Sequence, residues 1–245
     1  MLIEMRDVLT RLLTPQNTLN PLLFDEQNRL RSNIHNILSR QANYIYSLII
    51  AEIKGLKVTD VYLTGSMASY FYSEKSEVDL RIVIENTDCP ELATNSKFLS
   101  QFLQFYFFGS LHRRDFRLAG KKVNIKLSSD KPEKLPLGLY SIMQKKWLLA
   151  PQKNITAGLN ADEIYAKYEQ KYNEIEAYLL QLDNSGELET KAGIDKLVEL
   201  YEFLVANCNN SITDYIIFKM LKYRGMIDNI TATKNQALSD FFSID

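Results

Sequence analysis

A chain of 245 residues, 46% apolar, with 29 Lys and Arg against 30 Asp and Glu, can bury one generous core or one core plus a helical annex. Its formal charge of −1 excludes a molecule-wide field that would collect nucleic acid, so any such contact has to be local. Cys89 and Cys208 are the only cysteines and, with His35 and His112, lack the spacing of a zinc site, which fits a reducing cytosol.

The opening residues Met1-Leu2-Ile3-Glu4-Met5-Arg6-Asp7 carry charges where a secretory signal needs an unbroken apolar run. The richest apolar stretch, 98–108, is far shorter than the about 20 residues that span a bilayer. A cytoplasmic protein with no membrane association is expected. Residues 1–24, with Pro15 and Pro21, read as a partly helical lead-in. From 25 to about 54, Leu30, Ile34, Ile37, Leu38, Ile45, Leu48 and Ile49 recur at the spacing of an amphipathic helix, which Gly55 ends. Strands are expected over 57–63 and 77–85, with a short helix over 67–72 between them. Pro90 opens a second long helix to about 108, and 116–119 with 121–128 read as a hairpin turning at Gly120. A short extended segment, 139–147, precedes a change of composition at Pro151. Helices are then expected over 161–182, 187–206, 213–223 and on to about 242. Asn184-Ser185-Gly186 separates the first two. The order of elements is α+β over 25–150, followed by a helical domain over 151–245.

Chemistry concentrates in Leu63 to Ile84. In Glu77-Val78-Asp79-Leu80-Arg81-Ile82-Val83-Ile84 the apolar residues Val78, Leu80, Ile82 and Ile84 share one strand face, so Glu77, Asp79 and Arg81 share the other. Two carboxylates about 7 Å apart along a strand repel unless a cation lies between them, and oxygen-only ligands favour Mg²⁺ or Mn²⁺. Upstream, Thr64-Gly65-Ser66 ends the first strand. Gly65 lets a backbone approach a ligand, Ser66 offers a hydroxyl, and the amides opening the following helix suit an anion. Strand, phosphate turn, helix and metal strand follow one another. An isolated Glu-Val-Asp reads more simply as the acidic face of an edge strand. For Arg81, a salt bridge to the acids and a clamp on nucleotide phosphate are both open readings. Arg113, Arg114, Arg117, Lys121, Lys122 and Lys126 cluster in or beside the hairpin, bordering the cleft, where a phosphate or RNA contact fits. Most of the aromatic residues of 98–108 are assigned to core, and packing is the expected role of Tyr140 and Trp147.

At these residues the chain resembles the nucleotidyltransferase superfamily of DNA polymerase beta. The signature is an apolar residue, Gly-Gly or Gly-Ser, a spacer, then acid-apolar-acid; here the spacer is 67–76. The match is similar in more than its core motif to the nucleotidyltransferases of tailed phages and prophages. They share a Phe-Asp-Glu-x-Asn-Arg-Leu entry (24–30), a late Tyr-Ser-Ile…Lys-Trp segment (140–147) and a pattern like Ile217-Phe218-Lys219-Met220-Leu221…Gly225. The resemblance implies a nucleotidyltransferase-type mixed sheet flanked by helices, and transfer of a nucleoside monophosphate from an NTP to a hydroxyl. Glu77 and Asp79 would bind Mg²⁺ or Mn²⁺, and Gly65 and Ser66 the nucleotide, with Arg81 and Lys126 further nucleotide-binding candidates from their place on the strand faces beside the acids. The acceptor, whether RNA, protein or a small molecule, is not implied. Two positions depart from the pattern. Glu77 stands where Asp is usual, and Asn124 where a third catalytic acid is expected from a following strand. An amide has no basic lone pair to take the attacking hydroxyl's proton, so the alternative is a catalytically inactive member binding nucleotide or a macromolecule.

Overall fold

The computed structural model describes residues 2–52, 55–86, 116–128, 137–187, 190–208 and 210–242. The chain divides into two compact units, 15–153 and 1–14 together with 154–245. The lead-in read from sequence as one segment is therefore split at Thr14 and Pro15. Its helix α1 (Leu2–Leu13) buries Met5 and Leu9 among the helices of the second unit.

The first unit is a mixed α and β fold. Helix α2 (Ser32–Glu52) precedes strands β1 (Leu56–Thr64), β2 (Val78–Asn86), β3 (Arg117–Leu118), β4 (Lys121–Ser128), β5 (Leu139–Ser141) and β6 (Lys146–Leu149). These form one six-stranded sheet in the order β3-β4-β2-β1-β5-β6. Strands β2 and β4 run parallel, and every other neighbouring pair is antiparallel. Strand alternation sends Val61 and Leu63 of β1, Val78, Leu80, Ile82 and Ile84 of β2, and Val123, Ile125 and Leu127 of β4 to one face. On α2 the buried stripe Ile34, Leu38, Ala42 and Ile45 repeats with the helix period and joins the same core. Leu38 has no exposed surface. Leu38→Ala is expected to cost about 3 kcal/mol, read as a lower urea midpoint, because the cavity adds to the lost transfer energy.

Helix α2 begins at Ser32, seven residues later than the periodicity suggests, since 24–30 closes into a tight turn. Phe24 and Leu30 form an antiparallel bridge, and Asn28 is left-handed with φ 59°. The Asp25 carboxylate accepts from the backbone N–H of Gln27 at 3.0 Å and of Arg29 at 2.9 Å, which competes with a helical start. Its carboxyl is held below the ordinary range, first by the Arg29 N–H. The Phe24 ring stacks on Trp147 at 5.1 Å, Tyr140 meets both rings nearly edge-on, and Trp147 Nε1 donates to the Asn28 carbonyl at 2.9 Å. Tyr140 and Trp147 thus pack against the 24–30 turn. The segment expected to be simply extended over 139–147 is a hairpin of β5 and β6, with Lys145 left-handed in its turn. The β3–β4 hairpin turns at Ala119 and Gly120, φ 49° and 80°, the two left-handed residues of a tight hairpin turn. The helix expected over 90–108 lies outside the described residues, as do Cys89, His112, Arg113 and Arg114.

The second unit adds α3 (Ala161–Asn184), α4 (Lys191–Asn207), α5 (Ile212–Tyr223) and α6 (Met226–Phe242). Side chains set the starts: Asn160 accepts from the N–H of Asp162, Thr190 from that of Gly193, and Ser211 from that of Asp214. Thr190 places the start of α4 at Lys191, later than the expected 187. Ile164, Tyr168, Leu204, Ile216, Met220 and Ile230 form its core. No described helix is long and apolar enough to cross a membrane.

Candidate functional site

Strand β1 ends at Thr64, and the next residue takes φ 74° and ψ −163°, a conformation essentially confined to glycine. Gly65 is constrained by space as well. A Cβ built on it would lie 2.2 Å from Oδ2 and 3.1 Å from Cγ of Asp79. The glycine of the turn therefore makes the seat for the acid on the neighbouring strand.

The helix expected over 67–72 is a single 3-10 turn, Ser66–Ala68. It stops because Ser69 is extended, donating from Oγ to the Ser66 carbonyl at 2.8 Å and accepting from the Phe71 N–H at 3.0 Å. So the anion site expected at an α-helix start is reduced to one short turn. Ser66 is 3% exposed and donates from Oγ to Ser76 Oγ at 3.0 Å, which in turn accepts from the Ser73 N–H at 2.9 Å. Lys121 Nζ donates to the Glu74 carbonyl. The spacer is thereby fastened to the turn before it and the hairpin beside it, which fixes how β2 enters the sheet.

Register then decides which side chains meet. Thr64 lies opposite Asp79, and Asp79 opposite Asn124, in one row across β1, β2 and β4. The next row is Tyr62, Arg81 and Lys126, with Ser141 beyond Tyr62. Asn124 Nδ2 donates to Asp79 Oδ1 at 3.2 Å. Asp79, Asn124, Arg81 and Gly65 are thus brought together, and Lys126 is exposed on the same face. Glu77 is half-buried and lies one residue ahead of β2, which pairs from Val78 onward. Ser66 is turned instead into the spacer.

Among the described residues, no three or more His, Cys, Asp or Glu side chains group as a metal site would require. Asp79 and Asn124 carry oxygen donors in one row, and Glu77 carries a further carboxylate one residue ahead of β2. That all-oxygen set fits a hard divalent ion of the magnesium type, which keeps several waters and takes its remaining ligands from substrate phosphates.

Sequence reading passed over Asp60. It is 3% exposed, follows a register shift in β1, and accepts from the Val61 N–H at 2.7 Å and from Gln144 Nε2 at 2.8 Å. Ser141 Oγ lies 2.8 and 2.9 Å from its two oxygens. The available signal was an aspartate inside an apolar strand, a place that disfavours it. Burial, and then the Asp60 charge, push the neighbouring Tyr62 phenol above its ordinary pKa.

Comparison with protein-family models, curated proteins and solved structures finds no significant match to this chain.

Proposed function

We propose that the sheet unit is a metal-dependent nucleotidyltransferase of the polymerase beta type, moving a nucleoside monophosphate from an NTP to a hydroxyl acceptor. The observation that carries this reading is the seating of Asp79 against Gly65 and beside Asn124, where the resemblance expects turn, metal acid and a third acid, the last here replaced by an amide. In transfer, the acceptor oxygen bonds to the α-phosphorus while the bond from that phosphorus to the bridging oxygen breaks and pyrophosphate leaves. Mg²⁺ or Mn²⁺, when bound, supplies neutralisation of the phosphate charge. Glu77 and Asp79 would hold the ion. Arg81 and Lys126, one row away, would hold phosphate oxygens, Arg81 through its fork geometry. Asn124 orients the Asp79 carboxylate through its amide and takes no proton, so the acceptor's proton passes to water.

Incubation with each labelled NTP and Mn²⁺, scored for pyrophosphate release and self-labelling, tests the reading. Turnover that Asp79→Ala abolishes supports it. Calorimetry with Mn²⁺ and a non-hydrolysable NTP should likewise show binding that Asp79→Ala removes, and equal binding by that variant would sink the assignment.

One observation favours a second reading, a nucleotide-binding module without turnover: a neutral amide already satisfies Asp79 where a third acid is expected. Asn124→Asp separates the two. It places a second carboxylate at the position of a 3.2 Å contact, so the metal-free protein should melt several degrees lower and recover with Mn²⁺. In the active reading the transfer rate rises about 10²-fold or more, within the range of general-base assistance. Mn²⁺ binding restored without turnover would leave the binding module as the better account.

A further inference from the structure

Basic side chains lie on both sides of the acid row. Lys122, Asn124 and Lys126 alternate onto one face of β4, and Arg117 is registered directly opposite Lys122 across the hairpin, as Arg81 is opposite Lys126 across the parallel pair. Arg117, Lys122 and Lys126 are exposed. Lys126 lies four positions beyond Lys122, so the strand rise places them about 13 Å apart. That span is too long for one triphosphate to reach both ends while its α-phosphate stays at Asp79. The Arg81–Lys126 end, with the acids, accounts for the nucleotide. The Arg117–Lys122 end is then left for a second anion on the far side of the reacting centre.

We infer that Arg117 and Lys122 bind the sugar-phosphate backbone of a polynucleotide acceptor, whose terminal hydroxyl is thereby delivered to the nucleotide at Asp79. The assignment rests on the transferase reading, naming its acceptor class. A polynucleotide carries a phosphate at a fixed short distance from its terminal hydroxyl, and Lys122 lies about 7 Å along the strand from the Asn124 row, so a phosphate held there sets that hydroxyl at the reacting centre. The near-neutral chain supplies no general attraction, so affinity must come from these few contacts and should fall with salt. The β3–β4 hairpin is well suited to hold them, because its tight turn at Ala119 and Gly120 fixes the Arg117 and Lys122 register.

The test is fluorescence anisotropy of the full chain with a labelled single-stranded RNA 12-mer, a DNA 12-mer of the same sequence, and pyrophosphate as competitor, across a salt series. Arg117→Gln and Lys122→Gln, singly and together, keep a polar side chain and remove the charge. The double variant should weaken oligonucleotide binding tenfold or more and reduce the salt slope by about two, while Mn²⁺–nucleotide affinity by calorimetry stays as in the parent chain. RNA preferred over DNA, or both bound alike, supports a polynucleotide acceptor. Undetectable oligonucleotide binding at low salt, or binding that the double variant leaves unchanged, overturns it. So does loss of nucleotide affinity to the same extent, because the pair would then belong to the nucleotide. If the parent chain binds oligonucleotide through this pair but binds no nucleotide, the transferase reading fails while the surface assignment survives.

Discussion

Gly65→Ala is expected to abolish Mn²⁺–nucleotide binding and to destabilise the protein by about 3 kcal/mol, of which the glycine-only backbone accounts for about 1–3. The remainder comes from the Asp79 carboxylate, because the new methyl would sit 2.2 Å from Oδ2 and the carboxylate would have to leave its seat beside Asn124. Gly120→Ala is the control. Its φ is +80°, yet nothing lies within 4 Å of the added carbon, so it should cost about 1–2 kcal/mol of backbone strain and leave binding intact. A Gly65→Ala, Asp79→Ala double variant should be more stable than the sum of the single effects, since the clash needs both side chains. Urea midpoints and calorimetry read the parent, the Gly65→Ala, Gly120→Ala and Asp79→Ala variants and the double variant. Additive stability losses, or equal losses of binding from Gly65→Ala and Gly120→Ala, would contradict the seat.

Asp60→Ala is the second large effect. Removing the carboxylate takes the acceptor from the Val61 N–H and the Ser141 hydroxyl, both on buried residues, while the exposed Gln144 amide can turn to water. Hydrogen bonds to a charged group contribute about 1.5–3 kcal/mol, and an orphaned buried donor costs a comparable amount, so a loss of about 3–4 kcal/mol is expected. Asp60→Asn keeps the shape and one acceptor oxygen but sets its own amide donor against the donors it faces, so it should fall between parent and alanine. The same bonds tie β1 to the β5–β6 turn, which carries Tyr140 and Trp147 to the Phe24 turn. Amide exchange in β5 and β6 should therefore quicken in Asp60→Ala. Unchanged exchange there would show that the aromatic packing alone fixes this edge of the sheet.

What sequence determined by itself was local and periodic. The alternation of Val78, Leu80, Ile82 and Ile84 put Asp79 and Arg81 on one face, the same reasoning put Asn124 with Lys126, and Gly120 marked the hairpin turn, because side-chain period and left-handed φ are properties of adjacent residues. The caps at Asn160, Thr190 and Ser211 are equally local, each accepting from an N–H two or three residues on. Where a side chain could bind its own backbone in competition with the helix, periodicity misled. Asp25 turned 24–30 into a bridge-closed turn, and Ser69 cut the helix after Gly65 to one 3-10 turn. Contacts that depend on strand order and register do not follow from periodicity, and the meeting of Asn124 with Asp79 was expected only through the resemblance. Only the parallel pairing of β2 with β4 brings Asn124 to Asp79, only the approach of β2 to the end of β1 makes Gly65 the seat of that carboxylate, and only the β5 contact gives Asp60 its partners. Each joins residues far apart in the chain, so its energy depends on non-local packing that one-dimensional spacing does not encode.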